Sequence, residues 1–303
     1  MTKRLELTPA KTLRVGGAHD ALSAALIERA GFPAIWLSGF GVAAAQFGLP
    51  DANLVTATES AEAARRVASG VSIPVIVDAD NGFGDAFNAA RVVGDYGRAG
   101  VAAVCLEDNA FPKRCSLWAS APRRLLAVPE MQEKLAAAKK AAEPHGMLLI
   151  GRVESLIAEL GPEDAVRRAQ AYAEAGADAI LIHARRYAPL RDIAVSGKVP
   201  RPLVVVPTLF PDVGFSELAE AGFAAVVYAN QVLRAMVRAE QAVLSLMLRA
   251  ERPQELDPLI STVEEVNRLV RVPPEWFVET APEPRRNEHA PHGDRRRHHA
   301  ARR

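Results

Sequence analysis

Five times along this chain a helical stretch closes in Ala-Gly or Ser-Gly and an aliphatic run follows at once: RAGFPAIWLSG, ASGVSIPVIVDAD, RAGVAAVCLED, EAGADAILIHA and EAGFAAVVYAN. Glycine suits a left-handed helix cap, because it has no Cβ to clash there. Val/Ile/Leu runs without polar alternation suit strands covered on both faces. Helix, glycine, strand, repeated, means a parallel sheet with helical crossovers. LRVGGA, MLLIGRVE and PLVVVPT supply three more strands, so the eight runs centre on Val15, Ile35, Ile76, Val104, Leu149, Ile180, Val205 and Val226. Eight β/α units predict a closed (β/α)8 TIM barrel, a fold of about 250 residues. An open doubly wound sheet is the competing arrangement, but no GxGxxG follows the first strand.

Helical periodicity is legible between the strands, as in AHDALSAALIERAG and EDAVRRAQAYAEAG, the latter opened by Pro and two acids in GPEDA. NQVLRAMVRAEQAVLSLMLRAE predicts a long amphipathic helix whose Leu/Met stripe belongs to the core or to a subunit contact. ISTVEEVNRLVRV predicts one more short helix. Residues 281–303, rich in Arg, His and Pro, are expected to be a disordered tail behind a catalytic domain of residues 1–280.

Composition narrows the function classes. The tail carries seven Arg against Glu283, Glu288 and Asp294, a local charge of +4, so with a net charge of +1 the remainder is near −3. No overall field points to a nucleic-acid or membrane partner. No run is apolar enough to span a bilayer, and the N-terminus has no apolar segment of the kind a signal peptide needs. Two cysteines, Cys105 and Cys115, make no disulfide framework and fit a reducing cytoplasm.

In a barrel, chemistry sits where strands end and loops begin. The strand ends here carry polar residues that strands do not need: Ser38-Gly39, Asp78-Ala79-Asp80, Glu107-Asp108, Arg152 and Glu154, His183, Thr208, and Asn230. Asp78, Asp80 and Glu107 would crowd like charges at one mouth, which is costly without a cation. Oxygen-only ligands with water suit Mg²⁺, and no His or Cys cluster argues for zinc. The glycine-rich NGFGD, Asn81 to Asp85, either turns the chain or lets backbone approach metal or substrate. Arg152 on a buried strand needs an anion, which is either Glu154 or a substrate phosphonyl or carboxylate group. His183 is a satisfied core residue or a functional one; its place at a strand end within this constellation favours function.

GGAHDALSA, SGFGVAAAQFGLPDANL, VDADNGFGD, LEDNAFPKRCSL, GRVESLIAELG, ADAILIHAR and VVYAN follow one another in this order. Over Val15 to Ala250 this succession resembles the phosphoenolpyruvate mutase/phosphonopyruvate hydrolase branch of the isocitrate lyase superfamily. Arg152-Val153-Glu154 and His183 resemble that branch, whereas the C–C lyases carry Arg-Thr-Asp at strand five. In FPKRCSL, Lys113 matches both branches, Cys115 matches the lyase Cys, and Ser116 and Leu117 depart from the lyase Gly-His. Asn109 departs from the phosphonate branch.

The resemblance implies that Ser38, Gly39 and Phe40 bind the carboxylate and enol oxygen of a small α-keto or enol acid. It implies further that Asp51 supports the site, that Asp78, Asp80 and Glu107 hold Mg²⁺ partly through water, and that Lys113 and Cys115 close over the substrate. Arg152 and His183 would grip the migrating phosphoryl group, with Glu154 and Asn230 also at the substrate. The implied reaction is interconversion of phosphoenolpyruvate and phosphonopyruvate. Its rivals are phosphonopyruvate hydrolysis and a C–C lyase with Cys115 as proton donor, its thiol acidified by Lys113 and Arg114. The implied assembly is a homodimer or homotetramer exchanging C-terminal helices.

Overall fold

A computed structural model describes residues 3–116 and 123–270. The Arg/His-rich segment 281–303 and Leu117 lie outside the described residues. The elements run β1 (Leu13–Ala18), α1 (Ala21–Arg29), β2 (Ala34–Leu37), α2 (Gly39–Phe47), α3 (Ala57–Gly70), β3 (Val75–Asp78), α4 (Ala86–Arg98) and β4 (Ala103–Glu107). They continue with α5 (Val128–Ala142), β5 (Leu148–Val153), α6 (Gly161–Glu174), β6 (Ala179–Ile182), α7 (Tyr187–Val195), β7 (Leu203–Val205), α8 (Phe215–Glu220), β8 (Phe223–Tyr228), α9 (Gln231–Met247) and α10 (Val263–Leu269). The strands close in chain order, β1 to β8, into a (β/α)8 barrel, and β8 pairs back onto β1 in parallel. Each expected strand centre lies inside its strand.

The glycine caps behave largely as their chemistry requires. Gly31, Gly100, Gly176 and Gly222 all have positive φ. Gly70 does not: it is the last residue of α3, and Val71 follows in extended conformation. At that position glycine ends the helix without a left-handed residue.

Alternation along each strand divides the molecule into two cores. One set of positions, including Val15, Trp36, Ile76, Cys105, Ile150, Leu181 and Val204, packs inside the barrel. The other, including Ile35, Leu37, Val77, Leu106, Val153 and Ile182, packs against the helices. Counting onward by twos from the inward set gives Ser38, Asp78, Asp80, Glu107, Arg152, Glu154, His183 and Thr208. The pleat therefore aims Ser38, Asp78, Glu107, Arg152 and His183 at the barrel axis, where the apolar filling stops, whereas Asp80, with φ of 50°, leaves the alternation.

The last helices depart from the core reading of their apolar stripe. In α9 only Leu233 is buried, while Val237, Leu244 and Met247 are exposed, as are Val263 and Val266 on α10. Among the described residues no helix is long and apolar enough to cross a membrane.

Candidate active site

A cavity of about 600 Å³, including the space open to solvent, sits at the C-terminal mouth of the barrel. One half of its wall carries Asp78, Glu107, Arg152 and His183, from β3 to β6. The other half carries Trp36, Ser38 and Phe40 from the β2 end, and Thr208 and Asn230 from beyond β7 and β8. Asp51, Lys113, Cys115 and Ser116 complete the lining from loops. Residues scattered from 36 to 230 thus converge on one space.

The three acids do not act as one set. Asp78 and Glu107 face the cavity. Arg152 Nη1 lies 3.7 Å from Asp78 Oδ2, and Arg152 Nε lies 3.4 Å from Glu107 Oε2. Asn109 Nδ2 donates to Glu107 Oε1 at 2.9 Å. Asp80 instead turns to a side cavity, where it pairs with the Lys113 ammonium and accepts from Asn53 Nδ2 at 3.3 Å. Of the three acids expected to hold a metal, Asp78 and Glu107 line the main cavity and Asp80 stands beside it on Lys113. Among the described residues no three Asp, Glu, His or Cys side chains converge as a metal cluster.

Electrostatics favour a further cation. Burial pushes the Asp80 carboxyl up to about 8, against the pull of Lys113, and Asp51, Asp78 and Glu107 raise it further. Burial also raises Glu107. For Lys113 burial works against the charge, but Asp51, Asp80, Glu107 and Asp78 outweigh it and hold the ammonium protonated. Asp51 Oδ1 lies 2.7 Å from Lys113 Nζ. Five carboxylates, Asp51, Asp78, Asp80, Glu107 and Glu154, thus share two enclosed cations, Lys113 and Arg152. A divalent ion on Asp78 and Glu107 would relieve that excess. Mg²⁺ fits, since it takes one or two carboxylates directly and keeps its other ligands as water.

Arg152 pairs with Glu154 and also lines the cavity. Its Nε donates to Glu154 Oε1 at 2.6 Å and its Nη2 to Ser116 Oγ at 3.2 Å. Glu154 is wholly buried and does not line the cavity, so its expected place on the substrate is corrected to one beneath it. Burial alone would raise Glu154, but Arg152 and His183 outweigh that and hold its carboxyl well below the usual range. An ionised Glu154 can only accept. His183 Nδ1 lies 2.9 Å from Glu154 Oε1 and 3.0 Å from Arg152 Nη2, so the three side chains meet at one buried point. Arg152 and His183 are gathered on one carboxylate beneath the wall they both line.

The other expected groups divide between the two cavities. Ser38 caps α2, its Oγ accepting from Gly41 N at 3.1 Å. Ser38 and Phe40 line the main cavity, with the N-terminus of α2 between them; Gly39 itself lines the side cavity. A Cβ on Gly39 would lie 2.9 Å from Asp80 Oδ1, so glycine permits that approach. The NGFGD loop does not reach the main cavity, correcting its expected contact with metal or substrate. Positive φ at Asp80, Gly82, Phe83 and Gly84 makes it a tight turn that delivers Asp80 to Lys113. Holding Asp80 and Phe83 there costs about 1–3 kcal/mol each.

Sequence reasoning gave no role to two residues of this site, and it grouped a third, Asp108, with the strand-end residues. Asn53, with φ of 55°, accepts from Lys113 N at 2.6 Å and from Asn81 Nδ2 at 3.1 Å, tying three loops together. Ser116 bridges Arg152 and Glu154, donating to Glu154 Oε2 at 3.0 Å. Asp108, wholly buried, turns away from the cavity. Only Asp108 left a signal, as a second acid directly after Glu107.

Comparisons with known proteins find relatives over most of the chain. The family model described as phosphoenolpyruvate phosphomutase matches residues 4–248. The chain is 42% identical to phosphonopyruvate hydrolase of Variovorax sp. (strain Pal2), over 88% of this chain and 92% of that one. It is 37% identical to 2-methylisocitrate lyase of Bacillus subtilis (strain 168), over 78% of this chain and 77% of that one. Among solved structures, phosphoenolpyruvate phosphomutase from Streptomyces platensis subsp. rosaceus superposes with a TM-score of 0.82 at 42% identity, covering 85% of this chain and 90% of that one. A phosphonopyruvate hydrolase complex with oxalate and Mg²⁺ superposes with a TM-score of 0.78 at 40% identity, covering 85% and 89%.

Proposed function

Because the chain belongs to the phosphoenolpyruvate phosphomutase family, we propose that it breaks and forms the P–C bond of phosphonopyruvate, interconverting it with phosphoenolpyruvate. The observation that carries this reading is the pairing of Arg152 and His183 on one cavity wall, opposite the N-terminus of α2 and beside Asp78 and Glu107. That wall offers a basic grip for a phosphoryl group, with a carboxylate and enolate site next to it.

Mg²⁺, held by Asp78 and Glu107 with water, would stabilise negative charge on the substrate's carboxylate and enolate oxygens. The protein's own groups do the rest. The P–C bond breaks with its electron pair left on the pyruvate enolate. The Arg152 guanidinium and the His183 imidazole hold the phosphoryl group meanwhile. The enolate oxygen then takes the phosphorus, giving phosphoenolpyruvate, so no proton need be gained or lost. Ser38 and the N-terminus of α2 orient the carboxylate. Lys113, Cys115 and Ser116, all buried at the cavity, keep water from intercepting the phosphoryl group.

Hydrolysis to pyruvate and phosphate is the second reading, supported by the 42% identity to a phosphonopyruvate hydrolase. Water would then take the phosphoryl group in the same grip. Following ³¹P during incubation with phosphonopyruvate and Mg²⁺ separates the two: a phosphate ester supports the mutase, inorganic phosphate the hydrolase. Untouched phosphonopyruvate alongside cleavage of a 2-alkylmalate would overturn both. The apolar residues exposed on α9 and α10 support a homodimer or homotetramer that exchanges these helices. A chain of this length with two cysteines, both buried, supports a cytoplasmic setting.

A further inference from the structure

Glu107 faces the cavity, and the pleat turns the next residue the other way. Asp108 lies wholly buried between the strand and helix layers. Its Oδ1 accepts the Glu154 N–H at 3.0 Å. Its Oδ2 accepts the Tyr172 hydroxyl at 2.7 Å and Arg168 Nη1 at 3.2 Å, both from α6. Arg168 also donates to Tyr172 Oη at 3.0 Å, to Asp164 Oδ2 at 2.8 Å and to Leu126 O at 2.8 Å. Leu126 N returns to Asp108 O at 2.8 Å, and Ala110 N donates to Arg124 O at 2.9 Å.

One buried acid therefore meets three things at once. It holds the main chain of Glu154, whose carboxylate orients Arg152 and His183. Its main-chain carbonyl accepts from Leu126, on the far limb of the segment carrying Lys113 and Cys115. It anchors these to α6. Apolar residues of similar volume would fill the same space without the desolvation that a buried ionic network costs. Packing does not account for the network.

We propose that Asp108, Arg168 and Tyr172 are positioning residues for the reaction. They fix Glu154, and through it Arg152 and His183, in register with the chain that closes the cavity. Without the Tyr172 hydroxyl, Asp108 keeps fewer donors and the Glu154 main chain gains freedom. The grip on the phosphoryl group then drifts from its working geometry. The kinetic part of this inference rests on the phosphonopyruvate reading; the structural part does not.

The test compares Tyr172→Phe with Tyr96→Phe. Tyr96 is equally buried and also has a hydroxyl partner, Ser60 Oγ at 2.7 Å, and among the described residues it is not hydrogen-bonded to Glu154, Arg152 or His183. Both variants lose one buried hydroxyl, so both should lose some thermal stability. Only Tyr172→Phe should lower kcat, by about tenfold with KM held within about twofold, since misplaced groups act on the rate. Only Tyr172→Phe should move the imidazole ¹⁵N signals of His183, assigned against His183→Gln in histidine-labelled protein. Arg168→Lys, which keeps the charge but loses the planar fork, serves if Tyr172→Phe does not fold. Equal effects of the two Phe variants on kcat and on the His183 signals, or an unmoved His183 signal in the Tyr172→Phe or Arg168→Lys protein, would overturn the proposal. If the wild type leaves phosphonopyruvate unchanged, the assigned reaction fails, and the His183 signals still decide the positioning role.

Discussion

Glu154 Oε1 lies 2.6 Å from Arg152 Nε, both groups enclosed at the mouth of the barrel. The pair is the hinge of the basic grip, because the same oxygen is 2.9 Å from His183 Nδ1. Breaking it should show in both stability and rate.

Glu154→Gln keeps the shape and removes the charge. Arg152 would then be left with weaker partners inside the protein, a change that costs on the order of 3 kcal/mol in buried pairs. His183 would lose the carboxylate that orients it, and the rate should fall by roughly a hundredfold, as for loss of a preorganised group. Thermal melts and kcat for phosphonopyruvate measure the two effects. A variant as stable and as fast as the wild type would remove Glu154 from the argument.

The raised Asp80 carboxyl predicts a pH dependence of stability. Its folded value, about 8, lies above the ~3.9 of an unfolded chain. The folded state therefore holds that proton more tightly. The resulting stability is fully present below the unfolded value and is lost as pH rises through about 8. In EDTA, the melting temperature should decline from weakly acidic to weakly alkaline pH. Added Mg²⁺ should recover most of the loss at the alkaline end, and Asp78→Asn should blunt that recovery. A melting temperature that ignores Mg²⁺ at every pH would count against the divalent-ion site.

Cys115 lines the cavity beside Lys113 and Ser116. In phosphoryl transfer to the enolate it has no proton to give, so Cys115→Ala should keep kcat within about threefold; general acids contribute ~10²–10⁴ where they act. A loss of that larger size, with C–C cleavage of a 2-alkylmalate in the wild type, would move the chain to lyase chemistry.

The division between what was legible and what was not follows the range of the forces. Strand centres such as Ile76 and Val104 were readable because a strand buried on both faces must be aliphatic throughout. The strand-end acids and bases were readable as exceptions to that rule, and the pleat carried Asp78, Glu107, Arg152 and His183 to one cavity. Asn53 was not readable: its partners Lys113 N and Asn81 Nδ2 come from loops whose approach no local pattern encodes. Ser116, 36 residues from Arg152, was hidden for the same reason.

By itself the sequence determined the barrel, its order and the chemical kinds gathered at its mouth, since glycine placement and period-two burial act over a few residues. Only the tertiary structure decided the pairings. Asp80 went to Lys113 rather than to its neighbour Asp78, and Glu154 went beneath the substrate wall rather than onto it. Asp108 was turned outward to α6. Each buried charge settled on whichever opposite charge the closed barrel brought within hydrogen-bonding distance, and that distance exists only after folding.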